Sequence, residues 1–226
     1  LDRTDLLGPD VSEQSLKKSE AWRTLDSLEG LQPVKESVAQ LLTLVLKNVD
    51  REKREEPLYE VTLNRLFLGN PGTGKTTVAE LYAQILVDLG LLSNGEVIMK
   101  CASDFIGDVL GSSEKTTRSI LQAVEGNVLV IDEAYSLYSG GKSPGASNDP
   151  YKTAVIDTIV EQVQARPGAD IAVVMLGYQA EMENMMTKVN PGLSRRFQIE
   201  NAFQFPDFDD AALVRILMQK AREQSL

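Results

Sequence analysis

Eight consecutive residues, Gly69-Asn70-Pro71-Gly72-Thr73-Gly74-Lys75-Thr76, have the types and spacing to hold a polyphosphate. Water solvates such an anion well, so a competing site must present many fixed donors. Backbone N–H groups of a glycine-rich loop supply them as a nest, and the N-terminus of a following helix adds its dipole. Glycines at 69, 72 and 74 allow backbone geometry and close approach that a Cβ would block. Lys75 is expected to reach the β and γ phosphates and the Thr76 hydroxyl to ligate Mg²⁺, with Thr77 closing the set of nucleotide-binding residues. A match of this length also occurs by chance. A strand before it and a helix after it turn the pattern into a mechanism.

A second constellation is the apolar run Val128-Leu129-Val130-Ile131 ending in Asp132-Glu133. In an open α/β sheet, ligands sit at the carboxyl ends of strands, so both acids should face the phosphates. Asp132 suits the outer shell of Mg²⁺. Glu133, one residue on, suits polarising a water aimed at the γ phosphate. Two solvated acids after a strand are common when they stand alone; joined to the phosphate loop they read as machinery. The second acid also discriminates among reactions. GTPase switches lack a base here, and no Asn-Lys-x-Asp stretch for guanine is present. Small-molecule kinases would need an acceptor pocket and a lid that the sequence does not reveal. The nucleotide expected is therefore ATP, with Mg²⁺.

The elements that must position these residues alternate in type. Leu25 to Leu46 has apolar residues at helical spacing and predicts one helix; Arg51 to Glu56 is a charge run stopped by Pro57. Asn64 to Leu68 predicts a strand, Lys75 to Leu89 a helix, Val97 to Lys100 a strand, and Glu114 to Val124 a helix. A strand over 128–131, a helix over 151–164 stopped by Arg166-Pro167-Gly168, a strand over 171–176 and a last strand within 198–205 follow. Short apolar strands alternating with helices predict a central parallel five-stranded sheet covered on both faces, a three-layer α/β domain. Glycine and proline concentrate between Gly140 and Pro150, which predicts a mobile loop.

Composition narrows the field further. The chain has 226 residues, 42% hydrophobic and 25% charged, with a net charge of −10. Duplex binding needs clustered Lys and Arg, and no such stripe appears, so neither nucleic acid nor an anionic membrane is expected as a partner. With no histidine, His-based triads, His–metal sites and the usual pH switch are excluded. The single cysteine, Cys101, cannot form an internal disulfide, which favours a reducing, intracellular compartment, cytoplasmic or nuclear. No apolar run approaches the roughly 18 residues needed to cross a bilayer. The sequence opens on Leu1 and stops inside an apparent helix, so a piece of a longer polypeptide is expected.

Several separated stretches together resemble one family. They are Leu28-Glu29-Gly30-Leu31-Gln32-Pro33-Val34-Lys35, the phosphate loop, Asp104-Phe105-Ile106-Gly107, Ile131-Asp132-Glu133-Ala134-Tyr135-Ser136-Leu137, Leu176-Gly177-Tyr178 and Asn190-Pro191-Gly192-Leu193-Ser194-Arg195-Arg196-Phe197. In that order, from about residue 25 to the end, the chain resembles the CbxX/CfqX branch of AAA+ ATPases. Asn94-Gly95-Glu96 and Asp149-Pro150-Tyr151-Lys152-Thr153-Ala154 look most like fungal members with several such domains in tandem. The resemblance implies a P-loop NTPase fold in which residues 25–208 form the nucleotide-binding α/β subdomain. Residues 1–24 would be a linker with a short helix, and 209–226 the start of a helical lid that is mostly absent.

The resemblance also implies a ring-forming protein remodeller, usually hexameric, with ATP at each subunit interface and an unknown protein substrate. Arg196 matches the family's arginine finger, which would reach a neighbour's γ phosphate; Arg195 beside it could assist. Such fingers raise turnover by about 10³ to 10⁵ in related NTPases. On this reading the catalytic set is Glu133, Lys75 and Arg196. Two departures stand out. Family remodellers carry an aromatic pore-loop residue after Gly107 to grip a peptide, and here Val109 with Leu110 stands at that position. Gly177-Tyr178 replaces the polar γ-phosphate sensor that many AAA+ domains carry at the end of this strand. An alternative to the remodeller is therefore a nucleotide-dependent assembly scaffold or switch with little hydrolysis. Without a partner subunit and most of the lid, weak turnover is expected from this chain.

Overall fold

A computed structural model describes residues 19–109, 111–138, 149–163 and 170–224. The polar stretch over 1–18, Leu110, most of the glycine- and proline-rich loop (139–148) and the helix stop at 166–168 lie outside the described residues.

Two helices open the described chain, α1 (Glu20–Ser27) and α2 (Gln32–Lys53). The periodicity of Leu25 to Leu46 predicts one helix, but the chain breaks between them. Gly30 has φ 66° and Leu31 φ 57°, both left-handed, and Pro33 sits in the first turn of α2. A left-handed residue pair ends one helix, and proline's fixed φ starts the next, which side-chain periodicity does not register. Ser19 caps α1, accepting from the Trp22 N–H at 3.1 Å, and its hydroxyl donates to Asp88 at 2.6 Å. That bond ties α1 to the end of the helix following the phosphate loop.

The sheet contains β1 (Arg65–Gly69), β2 (Val97–Cys101), β3 (Val128–Asp132), β4 (Ala172–Gly177) and β5 (Phe203–Phe205) in the order β2-β3-β4-β1-β5. Every pairing is parallel. The chain leaves β1 for the far edge, returns through β3 and β4, and skips back over β1 to β5. The last strand is shorter than its predicted range, because Ile199–Asn201 forms a 3₁₀ turn first.

Alternate strand residues face opposite layers, as the pleat requires. Phe67, Val128, Val130, Val174, Leu176 and Phe203 pack with α1, α2 and α3 (Lys75–Asp88). Leu66, Leu68, Leu129, Ile131, Val173 and Met175 face α4 (Ser112–Ala123), α5 (Pro150–Gln162), α6 (Gln179–Lys188) and α7 (Pro191–Arg196) on the other side. This is the expected three-layer P-loop NTPase arrangement.

An aromatic cluster fixes β1 against its neighbours. Phe67 stacks on Phe203 with centroids 5.0 Å apart and lies 5.2 Å from Phe205, while Tyr82 of α3 meets Phe203 edge-on at 5.5 Å. All four rings are buried, and removing one such ring from a core costs about 3–5 kcal/mol. Both ends of the phosphate loop, strand and helix, are thereby anchored to one rigid block. The final helix α8 (Asp210–Gln224) is tied back by Arg215, whose guanidinium meets Glu29 at 2.7 Å in the break between α1 and α2. Among the described residues no helix is long and apolar enough to cross a membrane.

Candidate nucleotide site

The phosphate loop runs from the end of β1 into α3, between strand and helix as its mechanism requires. Its glycines do not all serve the same purpose. Gly72 (φ 76°) and Gly74 (φ 92°) are left-handed, and nothing lies within 4 Å of where a Cβ would stand. They shape an open cradle of backbone amides. Gly69 differs: a Cβ there would overlap the Phe205 carbonyl oxygen of the adjacent strand. Close packing against β5, rather than approach to phosphate, requires glycine at 69.

Lys75 folds back on the loop, donating to the carbonyls of Gly69 at 2.9 Å and Asn70 at 2.7 Å. Burial pushes its ammonium below the usual lysine range, and the nearby Asp132 carboxylate opposes that. A partly desolvated cation with only neutral acceptors is poised for an anion of higher charge. The Thr73 hydroxyl donates to the Asn70 carbonyl at 2.7 Å, bracing the loop. Thr76 and Thr77 are exposed, and among the described residues no hydrogen bond occupies the Thr76 hydroxyl.

Asp132 and Glu133 stand at the carboxyl end of β3, one strand removed from β1, with β4 between them. Parallel register aligns these ends: Leu68 pairs with Gly177, and Ile131 with Met175. One Asp132 oxygen accepts from the Glu133 N–H at 2.9 Å, leaving the other for a metal shell. Hydroxyl and carboxylate oxygens are hard donors, so Thr76 and Asp132 together fit Mg²⁺. Glu133 has φ 48°, a left-handed conformation that costs a non-glycine residue on the order of 1 kcal/mol. Strain of this kind persists where the surroundings over-determine it, and it clusters at functional positions.

Two features escape sequence reasoning. The Asn70 amide donates to both oxygens of Asp207 at 2.9 Å, linking the phosphate loop to the segment between β5 and α8. These partners are 137 positions apart, and nothing local signals the contact. Beside Glu133, the rings of Tyr135 and Tyr178 lie 5.6 Å apart. Tyr178 directly follows β4, a placement that could have drawn attention to it.

The remaining expected residues lie elsewhere. Arg196 is half-buried on α7, donating to the Val163 carbonyl at 2.5 Å and the Gly192 carbonyl at 2.9 Å. Both bonds are within its own chain. Arg195 is exposed, and among the described residues no hydrogen bond or ion pair holds it. Val109 is 65% exposed at a loop tip fastened by Ser112, whose hydroxyl donates to the Val109 carbonyl at 2.5 Å. Phe105, near it in sequence, is fully buried with Leu121 and Ile131, so it packs core and offers no ring to a substrate.

Comparison with known proteins gives a consistent picture. The family model for the "ATPase family associated with various cellular activities (AAA)" matches residues 65–205. Stage V sporulation protein K of Bacillus subtilis is 30% identical over 205 residues, covering 91% of this chain and 61% of that protein. Protein CfxQ of Xanthobacter flavus is 36% identical over 198 residues, covering 88% of this chain and 60% of that protein. The chloroplastic ribulose bisphosphate carboxylase/oxygenase activase of Cyanidioschyzon merolae is 33% identical over 215 residues, covering 92% and 70%. The chain thus spans less than two thirds of the Bacillus and Xanthobacter proteins. With a parallel five-stranded sheet, a phosphate loop opening a helix and a family model covering the whole sheet, the chain belongs to the CbxX/CfqX family of AAA+ ATPases.

Proposed function

We propose that this chain is the ATP-binding and ATP-hydrolysing domain of a ring-forming protein remodeller. The observation that carries this reading is the strained Glu133 at the end of β3, across β4 from a phosphate loop whose Lys75 feels Asp132. The amides of the 69–74 loop and Lys75 bind and orient the triphosphate, and Thr76 and Asp132 would hold Mg²⁺. That ion would bridge phosphate oxygens and neutralise charge. Lys75 exchanges two neutral carbonyls for phosphate oxygens when nucleotide arrives. The Glu133 carboxylate then accepts a hydrogen bond from the attacking water and withdraws its proton as the oxygen reaches the γ phosphorus.

Arg196 is the residue proposed to act in trans on a neighbour's γ phosphate, as a guanidinium fork suits phosphate oxygens. To do so it must leave the Val163 and Gly192 carbonyls, or share its donors with them. The full protein then forms a ring, hexameric by family resemblance, acting on a protein substrate in the cytoplasm or nucleus. Apolar Leu213, Val214, Leu217 and Met218 are exposed on α8, which supports α8 as the first helix of a lid. This chain alone is expected to be a monomer with near-background turnover.

The test is Glu133→Gln. MgATP affinity should persist while hydrolysis slows at least about tenfold, since general-base catalysis contributes about 10²–10⁴. Unchanged turnover refutes the assignment.

Exposed Val109, with no aromatic beside it, favours a second reading: a scaffold whose assembly follows nucleotide binding and whose hydrolysis is incidental. An aliphatic side chain grips a peptide more weakly than a ring. Turnover that rises with a protein substrate supports the remodeller. Assembly that changes on ATP binding, with no stimulation, supports the scaffold.

A further inference from the structure

We propose that Tyr135 is a positioning residue for hydrolysis, its hydroxyl holding one oxygen of the Glu133 carboxylate so that the other stays aimed at the attacking water. This rests on the reading of Glu133 as the base and extends it.

Glu133 has an exposed side chain, and its carboxylate takes no other hydrogen bond among the described residues. Left to itself, a flexible acid samples several rotamers, and general-base work needs it held in one geometry. The left-handed backbone at Glu133 opens a 3₁₀ turn over Ala134–Leu137, closed by Ser136 N–H donating to the Glu133 carbonyl at 2.9 Å. That tight turn brings the Tyr135 side chain back against the acid that precedes it. Burial first, and then the charge and hydrogen bonding of Glu133 with the proximity of Tyr178 and Asp132, raise the Tyr135 hydroxyl above its ordinary range. At neutral pH it is therefore a protonated donor, and it keeps its proton throughout.

The phenol is itself held from two further sides. Its ring lies against Tyr178, centroids 5.6 Å apart and planes inclined by 37°. Beneath it, Gly177 leaves the clearance the ring needs. A Cβ there would stand 2.9 Å from a Tyr135 ring carbon and 2.6 Å from Met182. The Gly177-Tyr178 pair at the end of β4 thus supports the base indirectly, from between the phosphate-loop strand and the acid-bearing strand. A carboxylate has about four lone-pair sites, so accepting from Tyr135 leaves capacity for water.

The experiment is Tyr135→Phe in the full-length protein, alone and combined with Glu133→Gln, following kcat, KM for ATP, MgATP affinity and thermal stability. In the native background, kcat should fall about tenfold, a fraction of the general-base contribution, with KM, affinity and Tm unchanged. In the Glu133→Gln background the same substitution should cause no further loss, because its route of action is already gone. Tyr178→Leu, which removes the supporting ring, should lower kcat in the same direction. A kcat at or above the native value in Tyr135→Phe overturns the assignment, as does an equal loss in both backgrounds. Slow Glu133→Gln with unaffected Tyr135→Phe sinks the tyrosine role alone, whereas unaffected Glu133→Gln sinks the base reading and this inference together.

Discussion

Replacing Arg196 by alanine removes two hydrogen bonds that fasten α7 to the end of α5. The guanidinium donates to the Val163 carbonyl at 2.5 Å and the Gly192 carbonyl at 2.9 Å. A hydrogen bond contributes about 1 kcal/mol net, more with a charged donor and less where water competes. For a half-buried arginine, about 1 kcal/mol per bond gives a loss of about 2 kcal/mol. In a domain of this size each kcal/mol moves Tm by about 2–4 °C, so a fall of about 4–8 °C is expected. Arg195 is exposed and, among the described residues, unbonded; its alanine variant should stay within about 0.5 kcal/mol of the parent. Thermal and urea unfolding of the two variants without nucleotide provides the assay. Equal Tm values for both would show that the Val163 and Gly192 bonds contribute nothing. In the assembled protein the same pair separates structure from trans catalysis. If turnover is lost in Arg195→Ala at full stability, the finger is Arg195, and Arg196 only fastens the helix.

Three more outcomes follow from the packing and charge. Gly69→Ala drives a Cβ into the Phe205 backbone, and overpacking of this kind should cost about 1–3 kcal/mol, read from the urea midpoint. Tyr82→Phe leaves the buried Leu63 carbonyl without the hydroxyl that meets it at 2.8 Å, and should destabilise by about 1–3 kcal/mol, again by urea unfolding. Burial pushes the Lys75 ammonium below 10.5, so the unfolded chain binds that proton more tightly than the folded one. The resulting penalty is fully present below the folded pKa, and stability is regained as pH rises from there toward 10.5. Against Lys75→Met, the native chain should therefore show a steeper rise of stability with pH in that alkaline window; parallel curves would refute it.

Much of the site was legible because its chemistry is local. The phosphate loop and the acid pair each occupy a few consecutive residues, and apolar runs of four to six residues marked the strands before them. Where local pattern failed, backbone conformation or distant contact was responsible. The periodicity of Leu25 to Leu46 continues through a break made by left-handed Gly30 and Leu31, because periodicity reports side-chain faces and is blind to φ. The expected last strand shrank to Phe203–Phe205, because only those residues find a partner on β1. Phe105 near the loop tip is core, which its neighbours in sequence could not reveal.

The sequence by itself determined the nucleotide chemistry and the alternation of strand and helix, since both follow from residue type at short spacing. Tertiary structure decided which strands are neighbours, so that β4 separates the phosphate loop from the acids and brings Tyr178 to Tyr135. It also decided why Gly69 is glycine, and that Arg196 spends its donors on its own backbone. These are contacts between segments tens of residues apart. They depend on how layers stack and how a chain crosses its sheet, and no window of adjacent residues contains that information.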